Sequence, residues 1–127
     1  MNFKDFKEYA VAVDSNNIFV ECDNVPDVVP EFIKSFYQKF NPVDVEVEID
    51  NAIVRFYPAE QLKRLQQEYS ISDVFIFATC NGDPIFIYDG NVYSCAHGND
   101  KSQWELMTNE LYNYFMLQEK RVDSDGA

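Results

Sequence analysis

Between positions 43 and 50 the chain reads Val-Asp-Val-Glu-Val-Glu-Ile-Asp, four apolar and four acidic side chains in strict alternation. A period of two belongs to a pleated strand, in which successive side chains point to opposite faces. Val43, Val45, Val47 and Ile49 are thereby assigned to one face, and Asp44, Glu46, Glu48 and Asp50 to the other. Asp50-Asn51 is then a turn signal, and Ala52 to Tyr57 a second run that pairs antiparallel with the first. A chain built around this hairpin contains a sheet with one face toward a core.

There is enough material for that core. The 127 residues point to one domain, and 46% of them are hydrophobic. The aromatic set of 11 Phe, 8 Tyr and one Trp favours half-buried pleated surfaces. A domain of this size needs no metal or disulfide to hold together. The polar end, residues 122–127, is expected to be a disordered acidic tail, which leaves 1–121 as the folded unit.

Around the hairpin the periodicity switches to helical. Phe3, Phe6, Ala10 and Val13 share one face of a first helix, and Asp14-Ser15-Asn16-Asn17 reads as a turn before a short strand from Ile18 to Glu21. Pro30 opens a second helix carrying Ile33, Phe36, Tyr37 and Phe40, which Asn41-Pro42 stops. Pro58 opens a third, with Leu62, Leu65 and Tyr69. Asp73 to Cys80 is an apolar central strand, broken by Asn81-Gly82-Asp83-Pro84. Asp89-Gly90-Asn91 joins the strands Ile85–Tyr88 and Val92–Cys95 in a hairpin, because Asp-Gly tolerates positive φ. Ser102 and Glu105 have capping-box spacing ahead of a last helix with Trp104, Met107, Leu111 and Phe115 on its buried stripe. The order predicts an α+β domain, with a mostly antiparallel or mixed sheet against about four helices.

Charge narrows the function. Ten Lys and Arg against 22 Asp and Glu give −12. From Leu65 to Glu119 the single Lys or Arg is Lys101, against eight acids. Nucleic-acid binding needs a basic stripe to displace counterions, and anionic membranes disfavour such a chain for the same reason. A basic protein partner is what the charge suits. No stretch approaches 18 apolar residues. The start MNFKDFKEYA has no continuous apolar segment of the signal-peptide kind, and Cys22, Cys80 and Cys95 are an odd number of scattered thiols. A reduced, cytoplasmic protein is expected.

Catalytic chemistry has few residues to work with. His97 is the single histidine, two positions from Cys95, but same-face strand neighbours stand about 6 to 7 Å apart, beyond the contact a Cys–His pair needs. Cys22, Cys80, Cys95 and His97 match a Cys₃His zinc set by type, without any C-x₂-C pair. The four glycines form no phosphate-cradling loop. Asp83 sits in a turn, where carboxylates cap backbone N–H groups. No catalytic, cofactor or metal residue is assigned. Two readings of the acidic row remain open: an edge strand protected by its charges, or a docking surface formed by Asp44, Glu46, Glu48 and Asp50 for a cationic protein.

The stretch Phe75 to His97, FIFATCNGDPIFIYDGNVYSCAH, resembles the SUKH superfamily, which includes the yeast cell-wall-assembly regulators and many small bacterial proteins. The resemblance rests on an apolar strand ending in Asn81-Gly82-Asp83-Pro84, a second apolar strand, a turn, then Val92-Tyr93 and His97-Gly98. Val29-Pro30-Glu31-Phe32 with Phe36 and Tyr37 is similar to the family's proline-led helix, and Trp104 to Phe115 to its closing helix, so the likeness spans about 29–115. It implies an α+β domain with a mixed sheet, no catalytic activity, and work done by protein binding. It further implies an immunity protein that neutralises a cognate toxin, often a nuclease. The alternative is a regulatory scaffold of the cell-wall-assembly-regulator type, and a Cys/His enzyme ranks below both.

Overall fold

The computed structural model describes residues 3–49, 52–95 and 104–107. Three helices, α1 (Phe3–Val13), α2 (Glu31–Phe40) and α3 (Leu62–Tyr69), accompany seven strands among them. The strands are β1 (Ile18–Val20), β2 (Asn41–Ile49), β3 (Ala52–Phe56), β4 (Phe75–Cys80), β5 (Asp83–Tyr88), β6 (Asn91–Ser94) and β7 (Glu105–Met107). They lie in the sheet in chain order, each antiparallel to the next, so the described sheet is antiparallel and not mixed. The α+β class stands.

Local signals set most of these elements. Pro30 caps α2 from an extended backbone, and Ile33, Phe36 and Tyr37 are its buried stripe. The chain turns straight from Phe40 into β2, two residues ahead of the expected start, and Pro42 pairs with Phe19. In α1, Phe3, Phe6 and Ala10 are buried, but Val13 is exposed at the helix end. After Pro58 comes a short 3₁₀ turn, Ala59–Gln61, whose Ala59 N–H donates to the buried Asn41 Oδ1 at 2.7 Å. Both later hairpins are tighter than expected. Tyr88 pairs with Asn91 and Cys80 with Asp83, leaving two-residue loops, Asp89-Gly90 and Asn81-Gly82. All four loop residues have positive φ, from 49° to 85°, as the type I′ turn demands. Asp83 and Pro84 therefore begin β5 and do not break the sheet.

Two expectations fail for reasons of pairing. Ile18 opposes Asp44 while Phe19 opposes Pro42, so Val43 is the extra residue of a bulge. It lies 43% exposed, and the inside–outside alternation begins only at Asp44. The second failure is the last helix. Glu105, Leu106 and Met107 are strand, paired with Ser94, Tyr93 and Val92. Trp104 seats its ring against Phe86 at 4.7 Å and Tyr88 at 5.4 Å. The open edge of β6 offers backbone partners and an aromatic bed that together outweigh a local capping signal. Leu111, Phe115 and the acidic tail lie outside the described residues, as does Ser102.

The core is largely aromatic and two-sided. On one face α1 and α2 press Phe6 onto Phe56 (4.9 Å) and Tyr37 onto Phe75 (6.4 Å), and Phe56 continues to Phe77 (6.1 Å). Such tilted pairs add about 0.5–1.5 kcal/mol each beyond area burial. Phe75 to Thr79 of β4 are all buried, so this strand is covered on its other face too. There α3 supplies the cover, with Leu62 and Leu65 buried.

The strands are unequal in length, and two side-chain amides complete the ladder where a neighbour runs out. Asn17, itself buried, accepts from Glu46 N–H at 3.0 Å and donates to Glu46 C=O at 3.0 Å and to Ala10 C=O at 2.9 Å. Gln66 accepts from Ile76 N–H and donates to Ile76 C=O, both at 2.7 Å. Each amide behaves as one residue of a missing strand. Asn17→Ala strands the N–H and C=O of Glu46, while Ala10 C=O keeps the Asp14 N–H at 3.1 Å, and is expected to cost about 2–3 kcal/mol, read as a lowered midpoint in chemical unfolding.

Tyr37 is fully buried, and burial pushes its phenol far above the usual tyrosine range. A raised acid contributes stability that is complete below the unfolded pKa and is lost as pH rises above it. The fold should therefore weaken above about pH 10, where an unfolded tyrosine ionises. Tyr37→Phe should match or exceed the parent's stability at pH 7, and should flatten that alkaline slope in melts between pH 9 and 11.

Candidate partner-binding face

From Asp44 onward β2 sends Val45 and Val47 into the core and leaves Asp44, Glu46 and Glu48 exposed on the opposite face. The structure brings these three together as the sequence expected, while Asp50 lies outside the described residues. The strand is not a simple edge. Its first residues are covered by β1, and beyond Asp44 its outer backbone is taken by Asn17 on Glu46 and by the Tyr9 hydroxyl, which donates to Glu48 C=O at 3.2 Å. The acidic row is thus held straight from behind by side chains rather than guarded by charge alone.

On its other side β3 places Arg55 directly across from Glu46, and Ile53 across from Glu48. Opposite charges so placed contribute about 0.2–1 kcal/mol, and Arg55 offsets part of the repulsion within the row. The Arg55 guanidinium lies 5.7 Å from the centre of the Tyr57 ring. The Tyr57 hydroxyl shares a 2.9 Å hydrogen bond with Thr79, which fixes that ring on the same side of the sheet. Beside it opens a cleft of about 120 Å³ lined by Tyr57 and, from the flank of α3 and its preceding turn, Gln61, Arg64, Leu65 and Glu68. Ile53 is 53% exposed on the same face, at the other end of β3 from Tyr57.

Arg55, Ile53 and Tyr57 escape a reading that follows single strands. The signal for them was present: counting back from a two-residue turn at Asp50-Asn51 puts position 55 opposite 46 and 53 opposite 48. Asn17 and Tyr9 had no such signal, since nothing local says that an amide in a turn will serve a strand 29 residues away.

The thiols are dispersed. Cys22 follows β1, Cys80 ends β4 and Cys95 follows β6. At ~4.8 Å between neighbouring strands, β1 and β4 are about 14 Å apart and β4 and β6 about 10 Å. Among the described residues no three His, Cys, Asp or Glu side chains gather to hold a metal ion. Cys95 is only 5% exposed, and burial, then the nearby Asp83 charge, pushes its thiol above the usual cysteine range. A protonated, buried thiol is a poor nucleophile. His97 lies outside the described residues. In native protein at pH 8, iodoacetamide should modify Cys22 and Cys80 ahead of Cys95, as mapped by peptide mass spectrometry. Cys95 labelled first would contradict the burial seen here.

With the geometry of this face in view, comparison with family models, curated proteins and solved structures finds no match for the chain.

Proposed function

We propose that this is a non-enzymatic protein-binding domain, an immunity protein that binds and neutralises a basic, nuclease-type toxin in the cytoplasm. The observation that carries the reading is the row Asp44, Glu46 and Glu48, all exposed on one face of β2. Like charges at alternate positions along one strand face repel one another, and one guanidinium opposite Glu46 offsets only part of that. A cationic partner supplies the rest. A nuclease must present a cationic cleft to nucleic acid, and an acidic face occupies such a cleft while long-range attraction speeds the encounter. The net charge of −12 acts in the same direction. The sequence resemblance of Phe75 to His97 to the SUKH superfamily adds to the immunity reading, although the strand at Glu105–Met107 departs from the closing helix that resemblance implied.

The test pairs this chain with a basic nuclease-type toxin, sought first among the products of neighbouring genes. Co-expression should restore growth, and failure of the wild-type chain either to rescue or to bind would sink the reading. The register decides which charges to reverse. Glu46→Lys sets a second cation against Arg55 and costs stability, whereas Asp44→Lys with Glu48→Lys leaves that pair intact. The double variant should melt as the parent does and associate about tenfold more slowly at low salt, with a shallower salt dependence. Unchanged kinetics would return the row to a merely solvated face.

A further inference from the structure

Among the described residues the outer face of the sheet is only half clothed. On the β4 side α3 lies against it, while β2 and β3 turn Asp44, Glu46, Glu48, Ile53 and Arg55 to solvent. Two strands at ~4.8 Å spacing leave a strip about 10 Å wide, the diameter of one α-helix. Arg64 and Glu68 on the flank of α3, with Gln61 of the turn before it, wall one side of the strip, with the cleft at its foot. At about 120 Å³ the cleft falls short of the roughly 300–1,000 Å³ of a small-molecule site and suits a single side chain. Its lining is mixed: the Leu65 side chain is buried and the Tyr57 ring half-buried, with polar groups at the rim.

We infer that the partner enters as a cationic amphipathic helix, laid on β2 and β3 alongside α3 and anchored by one apolar side chain in the cleft beside Tyr57. This rests on the binding role proposed above and adds the element that binds. Charge complementarity selects the occupant: cations belong over Asp44, Glu46 and Glu48, and an apolar row over Ile53 and Tyr57. Arg55 and Arg64 limit where those cations fall and so fix the helix's register. A strand added at the outer edge of β2 is disfavoured, because Asn17 and Tyr9 already occupy Glu46 and Glu48 there. Helix on sheet also completes the layer that α3 begins.

The probe is an 18-residue Lys/Leu amphipathic peptide, titrated into the isotopically labelled full chain and followed by backbone amide shifts. A Lys/Ser peptide of equal charge and a Glu/Leu peptide of equal amphipathicity are the controls. The Lys/Leu peptide should shift amides from Ile53 to Arg64, and both controls should bind at least about tenfold more weakly. Ile53→Thr, at an exposed strand position, and Gln61→Trp, which fills the cleft, should each weaken it by about fivefold or more with unchanged melting. Equal binding of the Lys/Ser peptide, or shifts centred away from β3 and α3, would overturn the inference. Failure of the two readings separates cleanly. Toxin neutralised by Ile53→Thr and Gln61→Trp but not by Asp44→Lys with Glu48→Lys overturns the helix-in-cleft inference and keeps the immunity role. Toxin untouched by the wild-type chain overturns the immunity role, and the peptide titration still decides the inference.

Discussion

The fold depends on satisfying backbone groups where strands of unequal length stop alongside one another. A meander with strands of three to nine residues leaves N–H and C=O groups that no neighbouring strand reaches. Leaving such groups buried and unpaired costs about 1–3 kcal/mol each. Two side-chain amides meet them, Asn17 at Glu46 and Gln66 at Ile76, each offering one donor and one acceptor in the geometry of a strand residue. Asn17 also fastens the end of α1 to β2 through Ala10, and Gln66 fastens α3 to β4. The same two contacts therefore close the ladder and dock the helices.

That closure shapes the surface left for other work. Because the far edge of β2 is already paired with side chains, what it presents outward is its face. The aromatic packing from Phe6 through Phe56 to Phe77 claims the inner face for α1 and α2. The short α3 covers only part of the outer one. The acids at 44, 46 and 48 lie on what remains, beside one cross-strand arginine that stacks on Tyr57. Electrostatics and exposed apolar surface thus coincide at one place, which neither feature requires by itself.

Much of this was legible in the residues. The alternation of β2, the helical stripes of α1, α2 and α3, and the Asp-Gly hairpin each depend on interactions within a few positions, and they emerge close to where the pattern puts them. The acidic face of the candidate site was legible for the same reason. Its cationic and aromatic neighbours were not read, because they come from a second strand whose register has to be carried across the turn. Val43 fails the alternation through a bulge that exists only against β1.

The sequence by itself determined where the periods of two and 3.6 run through β2 and the first three helices, that Asp89-Gly90 turns a hairpin, and that the chain is acidic. Those are properties of short stretches, decided by side-chain spacing and by the φ angles that Asp-Gly accepts. Only the tertiary structure decided that Glu105 to Met107 would be strand. A capping signal there competes with the free edge of β6 and the rings of Phe86, Tyr88 and Tyr93, and that edge is built from residues not adjacent in the chain. It likewise decided that an asparagine in a turn would stand in for a strand, since the groups it serves are 7 and 29 residues away and meet it only once the sheet has closed.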